Sequence, residues 1–168
     1  MLVDIKAMYD LAEAADLTHH VAMGQFFEAY TYVVLADFFG DIPITEALQG
    51  ADNLNPALEP GSLAYDTAFG LLDQAIANFQ AEAAADPTYD VFYNGDWDLW
   101  IKACNTLKMK MWLQLRLIDS GAKASFDAIV ATGEYIQDSS EDFQYNWPAT
   151  SAAQPDTRHP RYGLNYQA

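Results

Sequence analysis

Two places in this chain hold residue types that could do chemistry at close spacing. His19 and His20 are adjacent, and imidazole is a frequent metal ligand. Neighbouring residues on a helix point about 100° apart, so two of them rarely reach one ion. No carboxylate is spaced in sequence to complete a set, and the pair reads as exposed loop histidines. The second place is DPTYDVFYNGDWD, where Asp86, Asp90, Asp96 and Asp98 raise the possibility of calcium. A helix–loop–helix calcium site needs oxygen ligands at alternating positions and a glutamate at the twelfth. The run has neither. The plainer account makes Asn94-Gly95 a turn and Asp96 the cap of the next helix.

Covalent or acid–base chemistry finds no anchor. The 24 acidic residues supply many carboxylates, but nothing singles out a hydrolytic pair. Nucleophile and metalloprotease motifs such as GxSxG and HExxH are absent. The sequence therefore predicts a non-enzyme with no catalytic residue, no metal ligand and no cofactor. For ligand contact the best candidates are Tyr145, Asn146 and Trp147, predicted in a loop, where a flat aromatic beside an amide suits sugar recognition. The competing account is that Trp147 merely covers the last helix.

Composition bounds what such a chain can be. Its 168 residues are 51% hydrophobic, enough for one well-filled domain and too apolar for disorder. The net charge of −16 argues against binding nucleic acid or an anionic membrane leaflet. A single cysteine, Cys104, excludes an internal disulfide. No apolar run is long enough to span a membrane, and residues 1–4 do not look like a signal peptide.

The elements that must position these residues read as helices. Residues 4–15 carry one apolar face, through Ile5, Met8, Tyr9, Leu11 and Ala12. From Val21 to Phe39 the apolar positions Met23, Phe26, Phe27, Tyr30, Val33, Val34 and Phe38 recur at three and four residues with few polar interruptions, which predicts a helix buried on more than one side. Gly40 then suits a helix stop, and Pro43 prevents resumption. After a loop over 48–61, Ser62 is the expected N-cap of a helix reaching about Ala84, with Tyr65, Phe69, Leu72, Ile76 and Phe79 inward. Between Leu107 and Leu117 apolar and polar residues alternate, a strand-like period. Those residues are nonetheless strong helix formers without β-branches, and one helix is predicted over 96–120. Five of the eight basic residues lie on or just after it and are expected to pair with acidic neighbours as a solvated face. A last helix is expected over 123–137, with Phe126, Ile129, Val130 and Ile136 inward and Gly133 weakening it. The irregular tail leaves Tyr162, Leu164 and Tyr166 with nothing left to pack against, so the chain reads as part of a longer protein.

Four stretches also carry a resemblance. L-A-D-F-F-G-D-I-P-I-T-E-A-L (35–48) resembles the helix-stop and exit signature of the SusD/RagB family of nutrient-binding outer-membrane lipoproteins. YDTAFGLLDQAIANF (65–79) is similar to the helix that follows it there. Y-N-G-D-W-D-L-W-I-K-A-C-N-T-L-K-M-K-M-W-L-Q-L-R resembles the family's next motif, with Trp100, Lys102, Asn105, Leu107, Lys108, Lys110 and Arg116 on pattern and Ala103-Cys104 where Phe-Ala is usual. D-T-R-H-P-R-Y (156–162) is similar to a fourth.

The resemblance implies an all-α fold of tetratricopeptide-like helix pairs, with long irregular loops and a C-terminal tail, as one SusD-like helical domain over 1–168. It implies non-catalytic binding of a glycan or other nutrient at the cell outer membrane, on its exposed surface, and delivery to a TonB-dependent, SusC-like transporter. Membrane attachment would be through a lipid anchor only. The alternative, from another class, is a free-standing helical-repeat module that binds a protein.

Overall fold

The computed structural model describes residues 1–147 together with 158, 159 and 161. Five α-helices follow one another among these residues: α1 (Leu2–Glu13), α2 (Thr18–Phe39), α3 (Gly61–Gln80), α4 (Trp97–Leu115) and α5 (Ala122–Thr132). Each packs on the next. The pairing of α2 with α3 and of α3 with α4 is antiparallel. Tyr9 reaches Glu28, Asp37 meets Tyr65 while Gln25 meets Asn78, and Asp73 and Phe69 meet Lys108 and Trp112 in reversed order. Successive antiparallel pairs are the tetratricopeptide-like arrangement expected from the motifs, and the fold is all-α.

Helix α2 is the central element. Val21, Ala22, Phe26, Ala29, Tyr32, Val33 and Ala36 are all buried, and they spread round the helix because α1 lies on one side and α3 on another. Gly24 allows the close approach of α1, since a Cβ there would sit 2.7 Å from Met8 Cε and 2.8 Å from Tyr9 Cε1. Glu28 is 1% exposed, and its carboxylate accepts from Tyr9 at 2.9 Å and pairs with Lys6 at 2.5 Å. Those two contacts supply the compensation that a buried charge requires.

The turn after α2 is built as the sequence demands. Gly40 has φ +73°, and its N–H donates to Ala36 O at 2.9 Å. Ile42 and Glu59 exchange two backbone hydrogen bonds of 3.0 Å, an isolated antiparallel bridge that closes the loop. The Glu59 carboxylate accepts from Ile44 N–H, Thr45 N–H and the Thr45 hydroxyl, while Glu46 accepts from Asn53 and Ala57. The TEA segment is thus a clasp for the loop beneath it. Donation by Thr45 and Ile44 holds the Glu59 carboxyl below its ordinary range.

Several local expectations are corrected. Helix α3 begins at Gly61 behind Pro60, and Ser62 makes no cap; Gly61 fits because a Cβ would lie 3.0 Å from Gly40 O. It ends at Gln80. Helix α4 is helical through the alternation as far as Leu115 and does not reach residue 120; Trp100, Cys104, Leu107 and Met111 are buried at helical spacing, Leu113 is exposed, and Leu117 lies exposed beyond its end. Helix α5 ends at Thr132, where Gly133 with φ +73° is its stop and not an interior residue. Val130 and Phe38, expected inward, are exposed. The residues Tyr162, Leu164 and Tyr166 lie outside the described residues.

The histidine reading also changes. His19 is in α2, 6% exposed, with Nδ1 2.6 Å from Asp86 Oδ1 and Nε2 3.0 Å from Ala81 O. Its ring lies 4.4 Å from that of Trp97. With Thr18 donating to Glu82 O and Ala84 N–H donating to Asp16 O, it fastens the loop after α3 to the start of α2.

Candidate functional site

The candidate ligand residues are positioned from α4 outward. Asn94 and Gly95 both take positive φ, and Asp96 then caps α4 by accepting from Leu99 N–H at 3.2 Å. One turn into the helix, Trp100 has no exposed surface, and its indole N–H donates to Asp90 Oδ2 at 2.8 Å. Asp90 also accepts from the N–H groups of Phe92, Tyr93 and Gly95. Burial alone would raise its carboxyl, but the Gly95, Trp100, Phe92 and Tyr93 donors outweigh it and hold the group below its usual value. Asp90 is therefore structural, and Asp86 and Asp96 are committed to His19 and to the cap. No group of three or more His, Cys, Asp or Glu among the described residues is placed to hold a metal.

The next turns of α4 grip the segment that follows α5. Asn105 donates to Glu134 O at 2.8 Å, Ile136 N–H donates to the Thr106 hydroxyl at 2.9 Å, and Lys102 pairs with Glu141. Tyr93 OH donates to Glu141 O at 2.9 Å, and the Glu141 carboxylate accepts from Gln137 N–H. Lys102 first and Gln137 second hold the Glu141 carboxyl below its ordinary range. These are the residues of the K-A-C-N-T stretch, so the motif works as a clamp. Lys102 and Lys108 are largely covered and paired, Lys108 with Asp73 at 2.5 Å, and so belong to packing more than to a solvated face. Cys104 lies between them, fully buried, and burial pushes its thiol up to about 12.

From the clamp a ladder of rings leads to the surface. Phe143 stacks on Phe92 at 4.3 Å and meets Trp100 at 5.4 Å. Tyr145 meets Phe92 at 6.3 Å, Trp147 meets Tyr145 at 4.6 Å and 77°, and His159 meets Trp147 at 5.2 Å and 70°. Tyr145 and Trp147 remain 41% and 46% exposed, and Asn146 between them is exposed. Among the described residues the ring contacts of Trp147 are with Tyr145 and His159. The structure brings the three candidates together at the outer end of an aromatic column that starts in the core. His159 was not anticipated as part of this cluster; it lies twelve residues further on, inside the D-T-R-H-P-R-Y stretch, which was read only for its resemblance.

An exposed aromatic pair with an amide between them can stack on a sugar and hydrogen-bond its hydroxyls.

Known proteins share this architecture. The family model SusD-like_2, described as starch-binding and associating with the outer membrane, matches residues 1–161. No curated protein matches the chain. A SusD/RagB family protein from Bacteroides thetaiotaomicron is 25% identical, with a TM-score of 0.79 over 97% of this chain and 34% of its own. A SusD homologue from Bacteroides fragilis is 22% identical (TM-score 0.73; 88% of this chain, 32% of that one). A chitin-binding SusD homologue from Flavobacterium johnsoniae is 21% identical (TM-score 0.70; 85% and 32%). The chain thus spans about a third of the length of these solved relatives.

Proposed function

The chain belongs to the SusD-like family, and from that premise we propose that it takes part in binding a glycan nutrient at the outer membrane without transforming it. The observation that carries this reading is the exposed Tyr145–Trp147 pair at the end of a rigid aromatic column. Stacking sites gain most when the rings are held before the ligand arrives, because little side-chain freedom is then lost. The clamp from α4 supplies that rigidity. Relatives described as starch-binding and chitin-binding support sugars as the ligand class.

We further propose that the ligand passes to a TonB-dependent transporter, a protein partner. Where α2 ends, α3 begins and α4 ends, Phe38, Phe39, Leu54, Leu58, Leu117 and Ile118 are each at least 70% exposed. Asp37 joins these elements by accepting from Tyr65 at 2.6 Å and Gln114 at 2.7 Å. Large apolar side chains exposed to this degree suit a protein contact. No described helix is long and apolar enough to cross a membrane.

The test is a titration of the chain with a panel that includes soluble starch, chitin oligomers and acidic polysaccharides, followed by tryptophan fluorescence. Saturable quenching by one glycan supports the reading. A panel without a binder would oppose it.

A further inference from the structure

We infer that the glycan bound at the Tyr145–Trp147 site is an acidic one, carrying carboxylate or sulfate groups; this rests on the binding reading above and names its ligand class. The first reason is the set of ring angles. Trp147 stands at 77° to Tyr145 and at 70° to His159. Rings that are mutually perpendicular cannot lie flat on the same sugar face. The cluster offers a corner with one stacking face, so much of the remaining affinity has to come from polar contacts.

The second reason is that the polar groups at this corner are mainly donors. Arg161 N–H donates to His159 Nδ1 at 3.1 Å, which fixes Nδ1 as an acceptor and leaves the ring proton on Nε2. Asn146 contributes an amide NH₂ beside its carbonyl acceptor. Arg161 is exposed and leaves the backbone beside the imidazole. Its guanidinium presents five donors in a fork that matches carboxylate and sulfate oxygens.

The third reason is charge. From Phe143 to Ala168 the charged side chains are Asp156, Arg158 and Arg161, in a chain of net charge −16. Elsewhere Lys6, Lys102, Lys108 and Lys123 are engaged with Glu28, Glu141, Asp73 and Asp127. Among the described residues no carboxylate pairs with Arg161. At this corner Arg161 supplies the cation, while the chain's acidic residues, the exposed Asp142 just before Phe143 included, limit nonspecific capture of polyanions.

The experiment compares the 168-residue chain with its Arg161→Ala and Trp147→Ala variants, and with Arg116→Ala as a charge control. Among the described residues Arg116 donates to Leu113 O, at the far end of α4. Probes are polygalacturonate, dextran sulfate and neutral amylopectin, each at low and high salt. The inference predicts saturable binding of an acidic probe that weakens with salt, falls roughly tenfold or more in Arg161→Ala and is unchanged in Arg116→Ala. Polygalacturonate and dextran sulfate tell carboxylate from sulfate. Preference for amylopectin, lost in Trp147→Ala but indifferent to Arg161→Ala and salt, overturns the acidic class and leaves the site standing. Binding untouched by both Trp147→Ala and Arg161→Ala, or no binding of any probe, overturns both.

Discussion

The Trp100 indole N–H donates to Asp90 at 2.8 Å from a position with no exposed surface, joining the loop before α4 to the centre of the core. Three backbone N–H groups converge on the same carboxylate. Asp90→Ala would leave the indole and these amides without their acceptor. The expected loss is about 3–5 kcal/mol in urea unfolding; a loss under about 1 kcal/mol would contradict the account.

The same carboxylate sets an acid dependence. Its folded value lies below the ordinary carboxylate value, so between the two the unfolded chain binds more protons and stability rises with pH. The contribution is fully present above the unfolded value of about 3.9 and disappears as pH falls through the folded one. Unfolding midpoints of the native chain should drop below about pH 4, and Asp90→Asn should flatten that drop. Equal slopes for the two proteins would reject the assignment.

At the α1–α2 contact, Gly24→Ala should cost about 1–3 kcal/mol by overpacking. Met8 can swing its terminal carbon away, but the Tyr9 ring is pinned through its hydroxyl to Glu28. Thermal melts of Gly24→Ala and of the double variant Gly24→Ala/Tyr9→Leu measure this. The second change should recover part of the loss; an undiminished melting point in the single variant would show that α1 yields freely.

His19 and Asp86 make a fourth case. Removing the imidazole by His19→Ala frees the Asp86 carboxylate and Ala81 O together. Hydrogen exchange at Ala84, whose N–H reaches Asp16 O, should accelerate well before exchange in the centre of α2. Unchanged protection at Ala84 would mean that the backbone bonds hold the loop unaided.

These cases also mark how far the sequence could be read. The Gly40 stop, the Asn94-Gly95 turn and the Asp96 cap are local devices whose residues stand within a few positions of one another, and all three formed as expected. Helix α4 was legible because residue propensity outweighed a misleading alternation. His19 was misread because its partner is 67 residues away, and sequence spacing carries no trace of a contact made by antiparallel helices. Gly133 was taken as a weak interior residue because apolar positions continue to Ile136. Ile136 is in fact held by the Thr106 hydroxyl after the helix has ended. Tyr145 and Trp147 could be singled out as residue types, but the ladder that holds them depends on Phe92, Phe143 and His159, which only the fold assembles.

That ladder rests on the Lys102–Glu141 pair, and Glu141→Gln should loosen it. The Gln137 N–H and Lys102 would both face a neutral amide, and the aromatic corner would lose its fixed place. Glycan affinity should fall several-fold while the far-ultraviolet spectrum stays helical. Full affinity in this variant would detach the clamp from binding.

The central claim is tested most directly by measuring glycan affinity in Trp147→Ala beside the native chain, with a thermal melt of each. Trp147 is half exposed, and its ring contacts among the described residues are with the exposed Tyr145 and His159, so the account predicts a nearly unchanged melting point. Affinity should fall roughly tenfold or more, as expected for losing one stacking aromatic. An unchanged affinity at an unchanged melting point would place sugar recognition elsewhere on the molecule.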